Sequence, residues 1–191
     1  MNDWIMIESR PLTMAEMENN AEIIWNFFGS LGWTINAVSA MLGNMEAEST
    51  INPGRWEGDN VGNLSGGFGL VQWTPATKLR VWISETYASV DFTNGYFQME
   101  RIKYEHDYGG QWIKTSKYPL TFQEWSISEK PPAYLAEAFL INYERPGDQS
   151  DAVKRYRGAL AEKWYTVLTG LPAPHYFRLP VWLLFKMSER M

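Results

Sequence analysis

Residues 42–53 read LGNMEAESTINP and join the end of an apolar helix to a turn. The helix is predicted to begin after Thr34, a residue type that favours the N-cap, because apolar side chains then recur with helical spacing. It is predicted to end near Ser49, since the following Asn-Pro pair disfavours helical backbone. Two carboxylates, Glu46 and Glu48, therefore lie at the helix end. We interpret the rest of the chain as the scaffold that positions them.

Helical geometry alone does not choose between these two glutamates. At 100° per residue each falls roughly 75–85° from the centre of the apolar stripe, on opposite borders. Glu48 lies nearer the negative end of the helix dipole, which disfavours an ionised carboxylate, and a general acid must hold its proton at neutral pH. Both residues could equally be solvent-facing helix glutamates, so the preference for Glu48 is slight.

The remaining chain is predicted to be mostly helical. Six further helices are predicted to begin near Asn20, Thr74-Pro75, Asn94, Thr121, Pro132 and Ser150, and the last is predicted to end at Gly170. Residues 54–73 are rich in Gly, Asn and Asp and are predicted to form a small antiparallel β-hairpin. The predicted fold class is α+β, mostly α, with about seven helices around one hairpin and a cleft between.

Composition excludes several classes of function. A net charge of -5 and the lack of a Lys/Arg block argue against nucleic-acid binding. The chain has no Cys and only two His, so we expect no disulfide, no metal site and no cofactor. Ten Trp and ten Tyr exceed the needs of a core this size, and such rings suit clefts for sugars or peptides.

Three segments are expected along the chain: an N-terminal arm over 1–18, a domain over 19–170, and a linker with a C-terminal tail over 171–191. The N-terminus lacks the features of a signal peptide, and no segment reaches the length of a membrane span; the apolar run at 181–185 is far too short. We expect the arm to pack on the domain or on a partner. The proline-bearing linker is typical of an attachment to another subunit or a further domain.

Three motifs resemble the signatures of the phage tail lysozyme family, in order and in spacing. They are GNMEAESTINP at 43–53, GFGLVQWT at 67–74 and NYERP at 142–146. The family is part of the lysozyme-like superfamily, with goose-type lysozymes and lytic transglycosylases, and the chain is similar to the lysozyme domain of tail-knob proteins of small podovirus-like phages. The resemblance implies a lysozyme-like fold that cleaves the glycan strands of bacterial peptidoglycan.

The resemblance assigns the role of catalytic acid to Glu48, which leaves Glu46 as an ordinary or supporting residue. A glycosidase pairs its acid with a second carboxylate about 5 Å away for retention or about 6.5–9.5 Å away for inversion. In lysozyme-like folds the partner comes from the hairpin. Asp59 is preferred over Glu57 as this partner, because a turn would place it at the edge of the hairpin. Asp59 could equally be a turn residue that hydrogen-bonds its own backbone. If neither residue is the second carboxylate, a mechanism with a single acid remains, as in transglycosylases.

The resemblance also implies residues that bind the substrate. The glycine-rich segment lines the cleft in related transglycosylases, which assigns Gly69, Gln72 and Trp73 to sugar binding. Tyr143 matches a tyrosine that hydrogen-bonds near the acid, although a core tyrosine is an equal alternative. Trp73 and Trp56 are expected to act as stacking platforms for the glycan.

These expectations combine into a muramidase that cleaves the β-1,4 bond between N-acetylmuramic acid and N-acetylglucosamine. One alternative is a lytic transglycosylase that forms a 1,6-anhydro product, and another is a non-catalytic glycan-binding or structural tail component. The protein would act from a phage tail or as a released phage protein. Its partners would be peptidoglycan glycan strands and other tail proteins, contacted through the arm or the tail.

Overall fold

The computed structural model describes residues 3–8, 10–87 and 90–174. Within them lie seven α-helices: α1 Met14–Ser30, α2 Ile35–Ser49, α3 Thr77–Tyr87, α4 Gly95–Tyr108, α5 Phe122–Ser126, α6 Pro132–Phe139 and α7 Asp151–Thr169. A π-helical turn, Leu140–Glu144, continues α6, and a 3-10 turn spans Glu57–Asp59. The prediction of a mostly α-helical chain is confirmed. The predicted tail beyond 174, including the apolar run at 181–185, lies outside the described residues.

Predicted caps at several helix starts are confirmed. The Thr34 side chain accepts a hydrogen bond from the third residue of α2, and Ser150 does the same at α7. Thr121 and Glu124 form a capping box at α5, in which each side chain accepts from the other residue's backbone N–H. These caps depend only on neighbouring residues, which is why the sequence predicts them.

The first helix begins earlier than predicted. It starts at Met14, where Thr13 and Glu16 form a second capping box, so Asn20 lies inside α1 rather than at its cap. Asn20 is fully buried, and its amide accepts from the backbone N–H of Ile5 at 2.9 Å and donates to the carbonyl of Ile5 at 2.8 Å. Residues 3–8 of the predicted arm therefore pack on the domain.

The predicted β-hairpin is wrong. The described residues contain no strand, and two isolated antiparallel bridges, Trp56 to Phe68 and Phe68 to Trp73, stand in its place. The backbone has positive φ at Gly69 and Gln72, which bends this segment into a loop. The loop is held by the buried side chain of Gln98, whose Oε1 accepts from the N–H of Leu70 at 2.9 Å. A side chain from α4 thus replaces the ladder of hydrogen bonds that a hairpin needs.

The third helix also begins later than predicted, at Thr77 rather than at Pro75. The N–H of Ala76 donates to the carbonyl of Gly66 at 2.8 Å, so this backbone still belongs to the glycine-rich loop. Residues 64–76 therefore form one loop closed by its own backbone hydrogen bonds.

Helix α2 is the centre of the core. Residues 37–45 are all buried, as expected for a helix surrounded by other elements, and α6 and α7 pack against it. A Cβ atom built on Gly43 would lie 2.6 Å from the backbone nitrogen of Ala161, so α2 and α7 approach almost backbone to backbone. This close approach brings residues of α7 to the carboxylates at the end of α2.

Candidate active site

A cleft of about 510 Å³ opens at the C-terminal end of α2. Its walls come from four segments: Glu48 on α2, residues 55–58, residues 71, 72 and 74 of the glycine-rich loop, and residues 144–147 at the end of the π-helical turn. Ser49 connects two of them, because its hydroxyl donates to the carbonyl of Leu70 at 2.9 Å. The three sequence signatures therefore meet around one cavity.

The two glutamates of α2 have different surroundings. Glu46 is bound by α7: its Oε1 accepts from Lys163 Nζ at 2.6 Å, and its Oε2 accepts from Trp164 Nε1 at 2.7 Å. Glu48 lines the cleft, its side chain is 21% exposed, and its Oε1 pairs with Nη2 of Arg157. Only Glu48 is therefore available to a molecule in the cleft.

Arg157 also faces a second carboxyl group, that of Glu144. Its Nη1 donates to the carbonyl of Asn44 at 2.7 Å and lies 3.9 Å from Glu144 Oε2. The Glu144 side chain is 4% exposed, and in the described part of the chain neither of its oxygens has a hydrogen-bond partner. A buried polar group without a partner is rare in proteins and calls for an explanation.

The structure separates the two acids that were predicted to partner Glu48. Asp59 is paired with Arg55, its side chain is 57% exposed, and it does not line the cleft. Glu57 does line the cleft, where its Oε2 accepts from the N–H of Gly67 at 2.7 Å. The sequence favours Asp59 over Glu57, whereas in the structure Glu57 lines the cleft and Asp59 does not.

The predicted sugar-binding residues divide in the same way. Gln72 lines the cleft and donates to the carbonyls of Arg55 and Gly69 at 3.1 and 3.0 Å. Trp56 reaches the cleft wall but is buried, with its ring 4.4 Å from that of Phe68. Gly69 is buried behind the wall, where its positive φ shapes the loop.

Trp73 and Tyr143 meet at a buried acid on α4, Glu105. Trp73 Nε1 donates to Glu105 Oε1 at 3.2 Å, the hydroxyl of Tyr143 donates to Oε2, and Arg101 Nε binds Oε1 at 2.7 Å. Burial and the charge of Glu105 raise the pKa of Tyr143 well above its usual value, so its hydroxyl keeps its proton. Both rings line an adjoining cavity of about 270 Å³, and the Tyr143 hydroxyl binds Glu105 rather than Glu48.

A family profile described as phage tail lysozyme matches residues 19–168. The chain belongs to the phage tail lysozyme family. It is 45% identical over 159 residues to a protein named morphogenesis protein 1 of Bacillus phage B103, and the match covers 83% of this chain and 42% of that relative. The chain thus spans less than half the length of that relative.

Membership of the phage tail lysozyme family makes this a phage lysozyme-like protein. None of the helices in residues 3–8, 10–87 and 90–174 is long and apolar enough to cross a membrane. Three buried charged residues of the site, Glu144, Arg157 and Glu105, were missed by sequence reasoning. Glu144 stands in the third signature and could have been singled out there. Arg157 and Glu105 resemble ordinary polar residues of amphipathic helices, and no sequence signal marks them.

Glu144 is expected to hold a proton at neutral pH in this phage tail lysozyme family member. Burial and, next, the negative charge of Glu48 raise the pKa of Glu144 to about 8, and Arg157 offsets only part of this rise. A neutral Glu144 adds no second negative charge beside Glu48 and Arg157, which lowers the cost of burying its carboxyl group.

We expect the free energy of unfolding to fall by about 3 kcal/mol between about pH 5 and pH 8 through Glu144 alone. The folded pKa lies above the unfolded value of 4.5. The stabilisation from the bound proton is therefore complete below pH 4.5 and is lost as the pH rises through the folded value. Urea unfolding of the wild type and of Glu144→Gln at both pH values measures this effect. The variant should lose most of the pH dependence, and equal dependence in both proteins would contradict the assignment.

Proposed function

We propose that this protein is a peptidoglycan muramidase that cleaves the β-1,4 bond between N-acetylmuramic acid and N-acetylglucosamine. The observation that supports this proposal is the position of Glu48, which lies in the last turn of the buried central helix α2 and presents a partly exposed carboxyl group to the cleft. The cleft volume of about 510 Å³ lies within the range of small-ligand sites. We also propose that the helices form a lysozyme-like fold, in agreement with the family.

In the proposed mechanism Glu48 donates a proton to the glycosidic oxygen as the bond breaks. Positive charge then develops on the sugar ring, and a second carboxylate stabilises it or activates water. Glu57 is the better candidate for that role, since it lines the cleft. Asp59 would first have to leave Arg55, to which it is paired. Of the predicted sugar-binding residues, Gln72 and Trp56 line the cleft, and Trp56 is buried.

A second candidate function is lytic transglycosylation. It is favoured because both candidates for the second carboxylate, Glu57 and Asp59, are already bound to other groups of the protein. Glu57 accepts a hydrogen bond from the Gly67 backbone, and Asp59 is held by Arg55. A mechanism with one acid needs neither of them, because the 6-hydroxyl of the muramic acid attacks and a 1,6-anhydro ring forms. The two reactions break the same bond and differ only in the nucleophile.

Mass spectrometry of the products tests the proposed function. We expect purified protein to release fragments with reducing N-acetylmuramic acid ends from sacculi of Gram-positive bacteria. Transglycosylation would instead yield ends lighter by one water. If no fragments were released from any wall at about pH 5–8, both reactions would be excluded. A non-catalytic glycan-binding or structural tail component would then be the remaining interpretation.

We further propose that the protein acts on the cell wall from the phage tail or as a released phage protein. The family name supports a tail location, and the name of the Bacillus phage B103 relative refers to phage morphogenesis. The proposed partners are glycan strands in the cleft and other tail proteins at the chain ends. Residues 3–8 are already bonded to the domain through Asn20 and Asn52, so a partner there would contact their exposed side chains.

A further inference from the structure

Glu144 is the least explained polar group of the site. Both of its oxygens are buried and without a hydrogen-bond partner in the described part of the chain, although Glu144 lines the cleft next to Glu48. Its buried oxygens cannot contact a sugar, so Glu144 is not itself the acid that protonates the substrate. A group that adjoins the acid without contacting the substrate can still affect the reaction through the acid.

We propose that Glu144 stores the proton that Glu48 delivers to the glycosidic oxygen, and that Arg157 changes its partner from Glu48 to Glu144 when the proton moves. This inference rests on the proposed function, because it assigns Glu48 the role of acid. It makes Glu144 a positioning residue whose effect appears in the pH dependence of the reaction.

The geometry of Arg157 suits this exchange. Its guanidinium presents one terminal nitrogen to Glu48 and the other to Glu144, where 3.9 Å separates Nη1 from Oε2. The hydrogen bond from Nη1 to the carbonyl of Asn44 at 2.7 Å holds the guanidinium group against α2. A small movement of either carboxyl group therefore suffices to change which of the two is paired.

The proton and the charges balance at each step. Before the transfer Glu48 is ionised and paired with Arg157, while Glu144 is neutral. One of the two carboxyl groups first turns to bring Glu144 and Glu48 into hydrogen-bond contact, since neither Glu144 oxygen has a hydrogen-bond partner in the described part of the chain. The O–H bond of Glu144 then breaks and an O–H bond forms on Glu48, which leaves Glu144 ionised beside Arg157. Glu48 finally gives the proton to the leaving oxygen. The net charge of the three groups stays at zero until this last step, so the first transfer requires no uncompensated buried charge.

The charged groups that face Glu144 are Glu48 from α2 and Arg157 from α7. The other charged groups on the cleft wall are each bonded elsewhere: Arg55 to Asp59, Glu57 to the N–H of Gly67, and Arg145 to the carbonyls of Gln111 and Asn142. The proton on Glu144 is thus governed by the two partners that take part in the exchange.

The pH dependence of kcat/KM in Glu144→Gln tests the proposal. Glutamine keeps the shape and neutrality of protonated Glu144 but has no acidic proton to give. Glu48 must then take its proton from solvent, so we expect kcat/KM at pH 7 to fall by about tenfold or more, with less than about a twofold change near pH 5. Glu46→Gln, the matched control on α2, should keep the wild-type profile. A uniform loss at all pH values would show a purely structural role and overturn the inference.

Carbon-13 NMR titration of the Glu144 carboxyl group gives a second measurement that does not require activity. In the wild type we expect Glu144 to be protonated at pH 7, and in Glu48→Gln to titrate at lower pH, because the neighbouring negative charge is removed. An ionised Glu144 at pH 7 in the wild type would overturn this inference and leave the proposed function intact. A wild type that releases no fragments from sacculi would overturn the proposed function, and the inference with it.

Discussion

Replacing Glu48 with glutamine is expected to lower the rate of fragment release from sacculi by about a thousandfold. Glutamine fills the same space and can still accept a hydrogen bond from Arg157, but it cannot donate a proton to the leaving oxygen. The fold should persist, because Glu144 can ionise and pair with Arg157 once the charge of Glu48 is gone. Fragment release is measured by chromatography, and folding by circular dichroism.

Glu46→Gln is the control for this experiment, two residues earlier on the same helix. Glu46 is bound by Lys163 and Trp164, away from the cleft, so we expect activity within about twofold of wild type and a stability loss of about 1 kcal/mol. Loss of lysis with retained binding to sacculi in Glu48→Gln would exclude a non-catalytic tail component. Unchanged behaviour of that variant would support the non-catalytic interpretation instead.

Replacing Gly43 with alanine is expected to destabilise the protein by about 2–3 kcal/mol and to reduce activity as well. The added Cβ would lie 2.6 Å from the nitrogen and 2.9 Å from the Cα of Ala161, and 3.0 Å from the carbonyl oxygen of Arg157. All three are backbone atoms, so α7 must move away from α2. The gain in helix propensity of about 1 kcal/mol does not offset this movement. Urea unfolding and kcat/KM on sacculi measure the two effects.

Gly158→Ala provides a matched control, because Gly158 is also a buried glycine inside a helix. Its added Cβ would lie 3.1 Å from the side-chain Cβ of Ala133, and the nearest backbone atom is 3.5 Å away. We expect stability within about 1 kcal/mol of wild type and little change in activity. Equal destabilisation by both substitutions would contradict the prediction that the close approach of the α2 and α7 backbones makes Gly43 the more sensitive position.

Features that depend on neighbouring residues were predictable. The caps at Thr34, Thr121 and Ser150 follow from side chains that accept hydrogen bonds from the backbone N–H three residues away. The capping box of Thr13 and Glu16 was equally visible, but the weak pattern before it was interpreted as an arm. The hairpin prediction failed because short apolar runs between glycines are typical of strands and of tightly packed loops alike.

The sequence by itself predicted the family, the turn after α2 and the helices, apart from the starts of α1 and α3. The choice of Glu48 within its signature stays a prediction. The tertiary structure alone decided the surroundings of the two glutamates. Glu46 forms an ion pair with Lys163, whereas Glu48 lines the cleft and pairs with Arg157, which lies 109 residues further along the chain. It also revealed Glu144 as a buried carboxyl group that lines the same cleft as Glu48. The physical reason for this division is that hydrophobic periodicity and helix capping depend on residues close together in the sequence. The partners of a buried charge are selected by helix packing, which here depends on the near contact of two backbones at Gly43.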